Sequence, residues 1–473
     1  MDDIRQDRPG RDGADTGAEE REGADPQAER LRLVRDLLEA GRAADIGALL
    51  AELHPSDISN ILESVDADQR EALVEILRPA FDAEVLAYLP VDLRDEVVHL
   101  LEPKEVAAAV AELDTDDAVD VIQDLDEEAQ RAILENLPPE TRALVEQGLT
   151  FPEYSAGRLM SREFVSVPEF WTVGRLLDYL RAAASADECD VPEQFYDIFI
   201  VDPMMKVRGA VPLSRVMRAR RPVKLNEILT EDIRVIPATM DQEEVARMFR
   251  KYGLASAPVV DGANRLLGVI TVDDVVDVIA EEAAEDLLAL GGVGEGDLYR
   301  AVLDTTKSRF SWLAVNLVTA IIASVVIGLF EATIEQVVAL AVLMPIVASM
   351  GGNAGTQTLT VAVRAIATRE LNEANAMRVV GKEVLVGTVN GLLFAVIAGL
   401  VAVAWFRDPL IGVVIAAAMV VNLICAGLFG AVIPLALDRL KIDPAVASSV
   451  FLTTVTDVVG FLAFLGLASL VLL

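Results

Sequence analysis

Cysteine and histidine are almost missing from this chain of 473 residues, which holds two of each. Cys189 and Cys425 fall in regions of different character, so neither a disulfide framework nor a thiolate metal cluster can be built from them. His54 and His99 both lie in a soluble stretch, which argues against an imidazole-rich path for zinc or copper. Positive charge is scarce too, with 40 Lys and Arg against 75 Asp and Glu and a formal net charge of −35. A surface of that sign repels nucleic acid and attracts cations, so metal ions or basic groups are the expected partners. The N-terminus lacks the apolar stretch of a signal peptide, and residues 1–27 carry so little to bury that they read as a disordered tail.

What is abundant is apolar residue, 53% of the chain, unevenly placed. From Ser308 onward there are nine acidic and eight basic residues, leaving a net charge of −34 on residues 1–307. A strongly acidic soluble part therefore precedes a membrane part. Charge-free apolar runs cover Phe310–Phe330, Gln336–Val363, Val384–Phe406 and Pro409–Leu437, and a fifth, Ala445–Leu473, is interrupted only by Asp457. Each exceeds the roughly 20 residues that a helix needs to cross a bilayer. Lys307, Arg309, Arg364, Arg369, Arg378, Lys382, Arg439 and Lys441 mark one side, and the opposite connections hold only Arg407. By the positive-inside rule this is a multi-pass protein of the cell membrane with its N-terminal part cytoplasmic and its C-terminus outside.

The second run holds Met344-Pro-Ile-Val-Ala-Ser-Met-Gly-Gly-Asn-Ala-Gly-Thr-Gln357. Pro345 disfavours regular helix just before it, and Gly351, Gly352 and Gly355 let the backbone open or a neighbour approach. Asn353 and Gln357, at i and i+4, place amides on one helix face at a depth where lipid cannot satisfy them, which implies water or an ion. Asp457 has no basic residue in its run, and an ionisable group at membrane depth is a functional signal.

In the soluble part, Leu53, Val65, Leu77, Leu89, Leu101, Leu113, Leu125 and Leu137 recur at one constant interval, with turn formers after most of them. Such short capped helices are unstable alone and must stack as a small α-solenoid, residues 28–150. Asp116 and Asp120, beside Asp117 and Asp124, are either a solvated acidic face or a divalent-cation site shared with another domain. From about Tyr154 the pattern changes to short strands alternating with helices, once over Arg158–Met217 and again over Asn226–Glu281. This resembles a tandem pair of cystathionine-β-synthase (CBS) domains, 151–281, a fold that usually dimerises and senses adenine nucleotides or ions. Glu281–Asp286 extends the last helix and Gly291–Gly296 breaks it, so 282–307 reads as a connecting helix and hinge ahead of the five-helix membrane domain, 308–473.

With Gly351-Gly-Asn-Ala-Gly-Thr-Gln357 after Pro345, Thr453-Thr-Val-Thr-Asp-Val-Val-Gly460, paired CBS domains and an acidic helical repeat in this order, the chain resembles the MgtE family of magnesium channels. The resemblance implies a homodimer with an ion path on its two-fold axis, five spans per subunit, and hydrated Mg²⁺ held by Asp457. It implies that Asn353, with Gly351 and Gly352, lines the pore, that Glu331 stands at the outer mouth and Asp443 on the cytoplasmic side. It further implies closure by cytosolic Mg²⁺ bound to Asp116, Asp120, Asp241, Glu243, Asp274, Asp277, Glu282, Glu285 and Asp286. Gly253 and Ala280 stand where some members carry acidic residues. Mg²⁺ keeps several waters and is held by one or two carboxylates, which suits one Asp per subunit doubled by an axis.

Three other readings compete with a Mg²⁺-selective pore. One is a transporter of broader selectivity that includes Co²⁺ and Mn²⁺. Another is a membrane-anchored nucleotide sensor, which would need no polar residues in its spans. The last is an intramembrane enzyme built on Asp457, for which a carboxylate dyad would need a second acid inside a span, and the apolar runs hold no other.

Overall fold

The computed structural model describes residues 26–183, 191–192, 194–294, 302–372 and 374–473. The tail before residue 26, Cys189 and the Glu295-Gly296 end of the glycine hinge lie outside them. The chain divides into two units, Met1–Val278 and Ile279–Leu473.

In the first unit the apolar rhythm becomes a stack of short helices that includes Pro55–Ser64, Ala67–Leu77, Val91–Leu100, Pro103–Val110, Thr115–Gln123, Glu127–Asn136 and Pro139–Leu149. Their starts are fixed locally. Asp66 accepts from the Gln69 N–H, Asp126 from those of Glu128 and Ala129, and proline opens three of the helices. All eight repeat residues enter one core, and Val65, Leu89, Leu101 and Leu137 do so from the residue just after a helix, where the chain turns back. Each buried Leu or Val contributes roughly 1.5–3 kcal/mol, which is what makes helices of two or three turns stable.

A second rhythm, with twice the period, overlies the first. Arg70 donates to the carbonyls of Leu62 and Val65, Arg94 to those of Ala87 and Leu89, and Arg142 to those of Glu135 and Leu137. Each guanidinium thus satisfies carbonyls left open at the end of the preceding helix. Position 118 is next in this spacing after 94, and there the chain has a fully buried alanine.

Residues 151–278 carry two three-stranded sheets of the same design. β1 (Ser166–Pro168) pairs parallel with β2 (Asp197–Val201), which pairs antiparallel with β3 (Val207–Pro212); β4 (Ile236–Pro237), β5 (Ser256–Val260) and β6 (Leu266–Thr271) repeat this order. The register shifts between Ile200 and Val201 in one and between Val259 and Val260 in the other, so the duplication extends to the bulge. Phe199, Val201 and Val207 pack with Val260, Leu266 and Val269 to join the two copies. Gly209 and Gly268 occupy matching positions, and a Cβ at either would strike a backbone oxygen, of Thr230 and Ser161 respectively.

Among the described residues, the second unit has five helices long and apolar enough to cross a membrane: Thr305–Gly328, Ala339–Ala367, Ala376–Phe406, Pro409–Arg439 and Pro444–Leu472, called spans 1 to 5 here. A short helix, Glu331–Gln336, joins spans 1 and 2. One local expectation fails, since span 2 runs as helix straight through Pro345 and the glycines do not open it. Gly351 and Gly355 serve close packing instead, because a Cβ on the first would strike the Asn422 amide and on the second would press on Leu452. At the start of this unit Ala289 and Leu290 pack with Leu359, Val363, Ala445 and Leu452.

Arg70 is buried and also meets Glu96 at 2.6 Å. Arg70→Ala is expected to lower the stability of the first unit by about 2–3 kcal/mol, because two carbonyls and a carboxylate lose their partner together. Arg35, whose bond to the Ser64 carbonyl is exposed, should cost under about 1 kcal/mol when changed to alanine. The shift of the first denaturation transition of the full chain measures both.

Candidate ion sites

Two places hold acidic groups that no fixed cation answers among the described residues. The first lies in the first unit, where the acids at the start of helix Thr115–Gln123 are near enough to Asp274, at the start of helix Val272–Gly291, to feel its charge. Asp114 stands at the N-cap position without capping. That task falls to Glu163, whose carboxylate accepts from Thr115 N–H at 3.2 Å and Thr115 Oγ1 at 2.7 Å, as well as from Ser161 and Arg162. A residue far away in the chain thus holds the helix start, where the helix dipole favours a carboxylate.

The remaining acids are less well satisfied. Oδ1 of Asp116 is closed off from solvent and accepts no hydrogen bond from the described residues. Burial first, and then Asp274 and Asp117, push the Asp116 carboxyl well above the usual range. Burial, Asp274 and Asp120 push Asp117 up to about 7. Asp274 is pushed up to about 6 by burial, although Thr271 donates to it from N–H at 3.1 Å and from Oγ1 at 2.8 Å. Asp277 is raised by burial and then by Asp273, and Asp114 by burial and then by Glu163. No cation stands among the groups acting most strongly on Asp116 or Asp117. The alanine at 118, where the longer rhythm would place an arginine, is adjacent.

Of the residues named from sequence, Asp116, Asp274 and Asp277 come together here. Asp120 points to Arg94, at 2.9 Å from its Nη1, and accepts from Gln123. Asp241 caps helix Gln242–Tyr252, which ends on Gly253 in a left-handed conformation, and Glu243 pairs with Arg247 at 2.7 Å. Glu282, Glu285 and Asp286 lie further along helix Val272–Gly291, in the second unit. Glu163, Asp273 and Asp114 were not singled out from sequence. Asp273 and Asp114 carried a signal, as close neighbours of Asp274 and Asp116 in the chain.

The second place is in the spans. Ser349, Asn353, Thr356, Gln357 and Thr360 recur along one face of span 2, and all five are exposed in the single chain. Among the described residues, Asn353 hydrogen-bonds only to Ser349 of its own helix, at 3.4 Å. Gly352 has nothing near it, whereas Gly351 is buried on the opposite side. Asp457 is half-buried on span 5 and forms neither an ion pair nor a hydrogen bond among the described residues. Glu331 begins the short helix after span 1, and Asp443 caps span 5 by accepting from Ala445 N–H at 2.7 Å.

Two polar residues of the spans escaped the sequence reading. Glu383 is buried within the helix of span 3, where Thr358 Oγ1 donates to it at 3.3 Å, so an acid other than Asp457 does occupy a span. Its signal was hidden because the charge-free run begins immediately after it. Asn422, fully buried in span 4, donates to the carbonyl of Val347 at 2.8 Å and contacts the backs of Gly351 and Gly460. It is the one amide of its run, a signal open to reading but not read.

Comparison with known proteins adds to this geometry. Residues 344–467 match the family described as a divalent cation transporter, MgtE; residues 53–154 match the MgtE intracellular N domain; and residues 225–281 match the CBS domain. The magnesium transporter MgtE of Thermus thermophilus is 37% identical over 340 residues, covering 71% of this chain and 74% of that protein. The protein of the same name from Bacillus subtilis is 31% identical over 323 residues, covering 68% and 70%. Among solved structures, the cytosolic domain of the Mg²⁺ channel MgtE in complex with ATP is 32% identical, covers 52% of this chain and 99% of its own, and superimposes with a TM-score of 0.48.

The acid cluster sets a pH dependence. Unfolded aspartates titrate near 3.9, so with folded values of about 6 for Asp274 and about 7 for Asp117 the folded unit retains protons that the unfolded chain has released. Without divalent ions, stability should therefore fall as pH rises from about 4 through about 7. Melting curves in a chelator should show this decline, and Asp117→Asn combined with Asp274→Asn should flatten it.

Proposed function

The chain belongs to the MgtE family of magnesium transporters, and on that premise we propose that it is a homodimeric Mg²⁺ pore of the cell membrane, closed by cytosolic Mg²⁺. It is a transporter and not an enzyme. The observation that carries the pore reading is the exposed polar face of span 2. A row of Ser, Asn, Thr and Gln turned toward hydrocarbon is costly, and a second copy enclosing water along that face removes the cost. Asp457 supplies the charge, and Asn353 with the bare backbone at Gly352 supplies neutral oxygen and space. Such a sparse set suits an ion that keeps its waters better than a cage of many ligands would. Glu331 and Asp443 would draw cations toward the two mouths, the C-terminus lying outside.

The closing ions are proposed to bind first at Asp116, Asp117, Asp274 and Asp277, with Asp120, Asp241, Glu243, Glu282, Glu285 and Asp286 as the further set. At neutral pH the packed carboxylates repel one another as they ionise, and a divalent ion between them converts repulsion into attraction. A ligand shifts an equilibrium only by its differential affinity, so the closed state is the one in which these acids are assembled. The division into a helical domain at 28–150, a CBS pair at 151–281 and a connector at 282–307 belongs to this proposal, as does an adenine nucleotide at the CBS pair.

Asp457→Ala in proteoliposomes is expected to lower Mg²⁺ flux at least about tenfold, the effect of losing about 1.4 kcal/mol of ion stabilisation. Asp457→Asn should stay well below wild type. Wild-type flux through a folded alanine variant would remove Asp457 from the pore.

Asp117→Asn together with Asp274→Asn should raise the Mg²⁺ concentration for half-closure by roughly fivefold or more. Conductance recorded at graded cytosolic Mg²⁺ measures this. An unchanged threshold would place the sensor elsewhere.

A further inference from the structure

Away from both sites, Asp95 and His99 lie one turn apart on helix Val91–Leu100 and so share a face. Asp126, the N-cap of helix Glu127–Asn136, meets them from a different helix. One donor atom from each of the three lies within 4.8 Å of the other two. We propose that these residues form a binding site for a divalent transition-metal ion of the imidazole-preferring class, zinc or cobalt, separate from the carboxylate cluster at Asp116 and Asp274.

The hydrogen bonds around the ring prepare it for a metal. His99 Nδ1 is 2.8 Å from the backbone oxygen of Asp95. A carbonyl can only accept, so a proton resides on Nδ1, and in the neutral ring the lone pair is left on Nε2, the arrangement that orients metal-binding histidines elsewhere. Nε2 lies 3.5 Å from Asp126 Oδ2. Two donors bound at about 2.0–2.1 Å to one tetrahedral ion stand roughly 3.4 Å apart, so an ion fits between them with little movement.

Asp126 is held in the same way. Its Oδ1 accepts from the N–H groups of Glu128 and Ala129, which fixes the carboxylate and leaves Oδ2 turned to the histidine. On the other side, Oδ1 of Asp95 is closed off from solvent, accepts no hydrogen bond from the described residues, and lies 3.5 Å from Nδ1. Asp95 has a donor atom within 4.8 Å of the other two, near enough to be recruited as the third ligand, and water would complete the shell as in other three-ligand zinc sites. The donor set also decides which ion binds. Mg²⁺ prefers oxygen and its own waters, whereas imidazole with carboxylates suits Zn²⁺ and Co²⁺. Bound there, the ion would tie together two helices that approach through side chains at these three positions.

The test uses the full chain in detergent with Mg²⁺ in excess, so that sites built only of oxygen are filled. Co²⁺ is titrated and followed by its visible absorption, then displaced with Zn²⁺. The expected result is a single equivalent with a visible band, abolished or weakened at least about tenfold by His99→Ala and by Asp126→Asn. His99 is exposed, and asparagine caps a helix as well as aspartate does, so both variants should fold. The lack of a band in the wild-type chain, or the same affinity after His99→Ala, would overturn the site.

Discussion

Negative charge held where no fixed positive charge answers it is the constraint on which both units depend. In the first unit, arginines at 70, 94 and 142 each reach back to close the preceding helix and also bring a cation into an acidic stack. The alanine at 118 interrupts that service beside a cluster of crowded acids, and Asp116 and Asp117 respond by holding their protons far above the usual range. Buried carboxylates in this condition cost stability at neutral pH unless something mobile neutralises them. The second unit repeats the situation with one acid, since Asp457 has no fixed partner among the described residues.

The surroundings keep the cluster assembled against its own repulsion. Glu163 is one acid that is well satisfied, with four donors converging on it, two of them from Thr115. It binds the sheet-bearing part of the first unit to the start of helix Thr115–Gln123 and so fixes Asp114, Asp116 and Asp117 in place. From the other direction, Thr271 holds Asp274 through two hydrogen bonds. One continuous helix, Val272–Gly291, begins among these acids and ends at Ala289 and Leu290, which belong to the apolar cluster with Leu359 and Leu452. The same element therefore carries charge at one end and packing at the other.

Much of this was legible because the relevant pattern is local. Leucines at a constant interval become a core, long apolar runs become spans, and the two strand clusters become matching sheets. The cluster's membership was less legible because it is decided in three dimensions. Asp120 looks like the partner of Asp116 on a helical wheel, yet it pairs with Arg94 of an earlier helix. Glu163 enters the cluster from a different domain type, which no spacing rule reaches. Pro345 misled in the other direction, since a span supported by its neighbours tolerates the missing donor without breaking. Glu383 was overlooked because a charge at the edge of an apolar run can belong to the connection or to the helix, and only packing against Thr358 decides which.

Asn422 has a consequence for how the sequence can change over time. Its amide fills the space left by Gly351 on span 2 and by Gly460 on span 5, so three helices meet at one side chain. A larger residue at either glycine would collide with it, and a smaller residue at 422 would leave a void behind both. The three positions are thus one inheritable unit, free to drift only in concert, although they are far apart in the chain and none of them needs to touch an ion. Related sequences should keep all three or exchange all three, and a lineage that altered one alone would first have displaced the helices that carry Asn353 and Asp457.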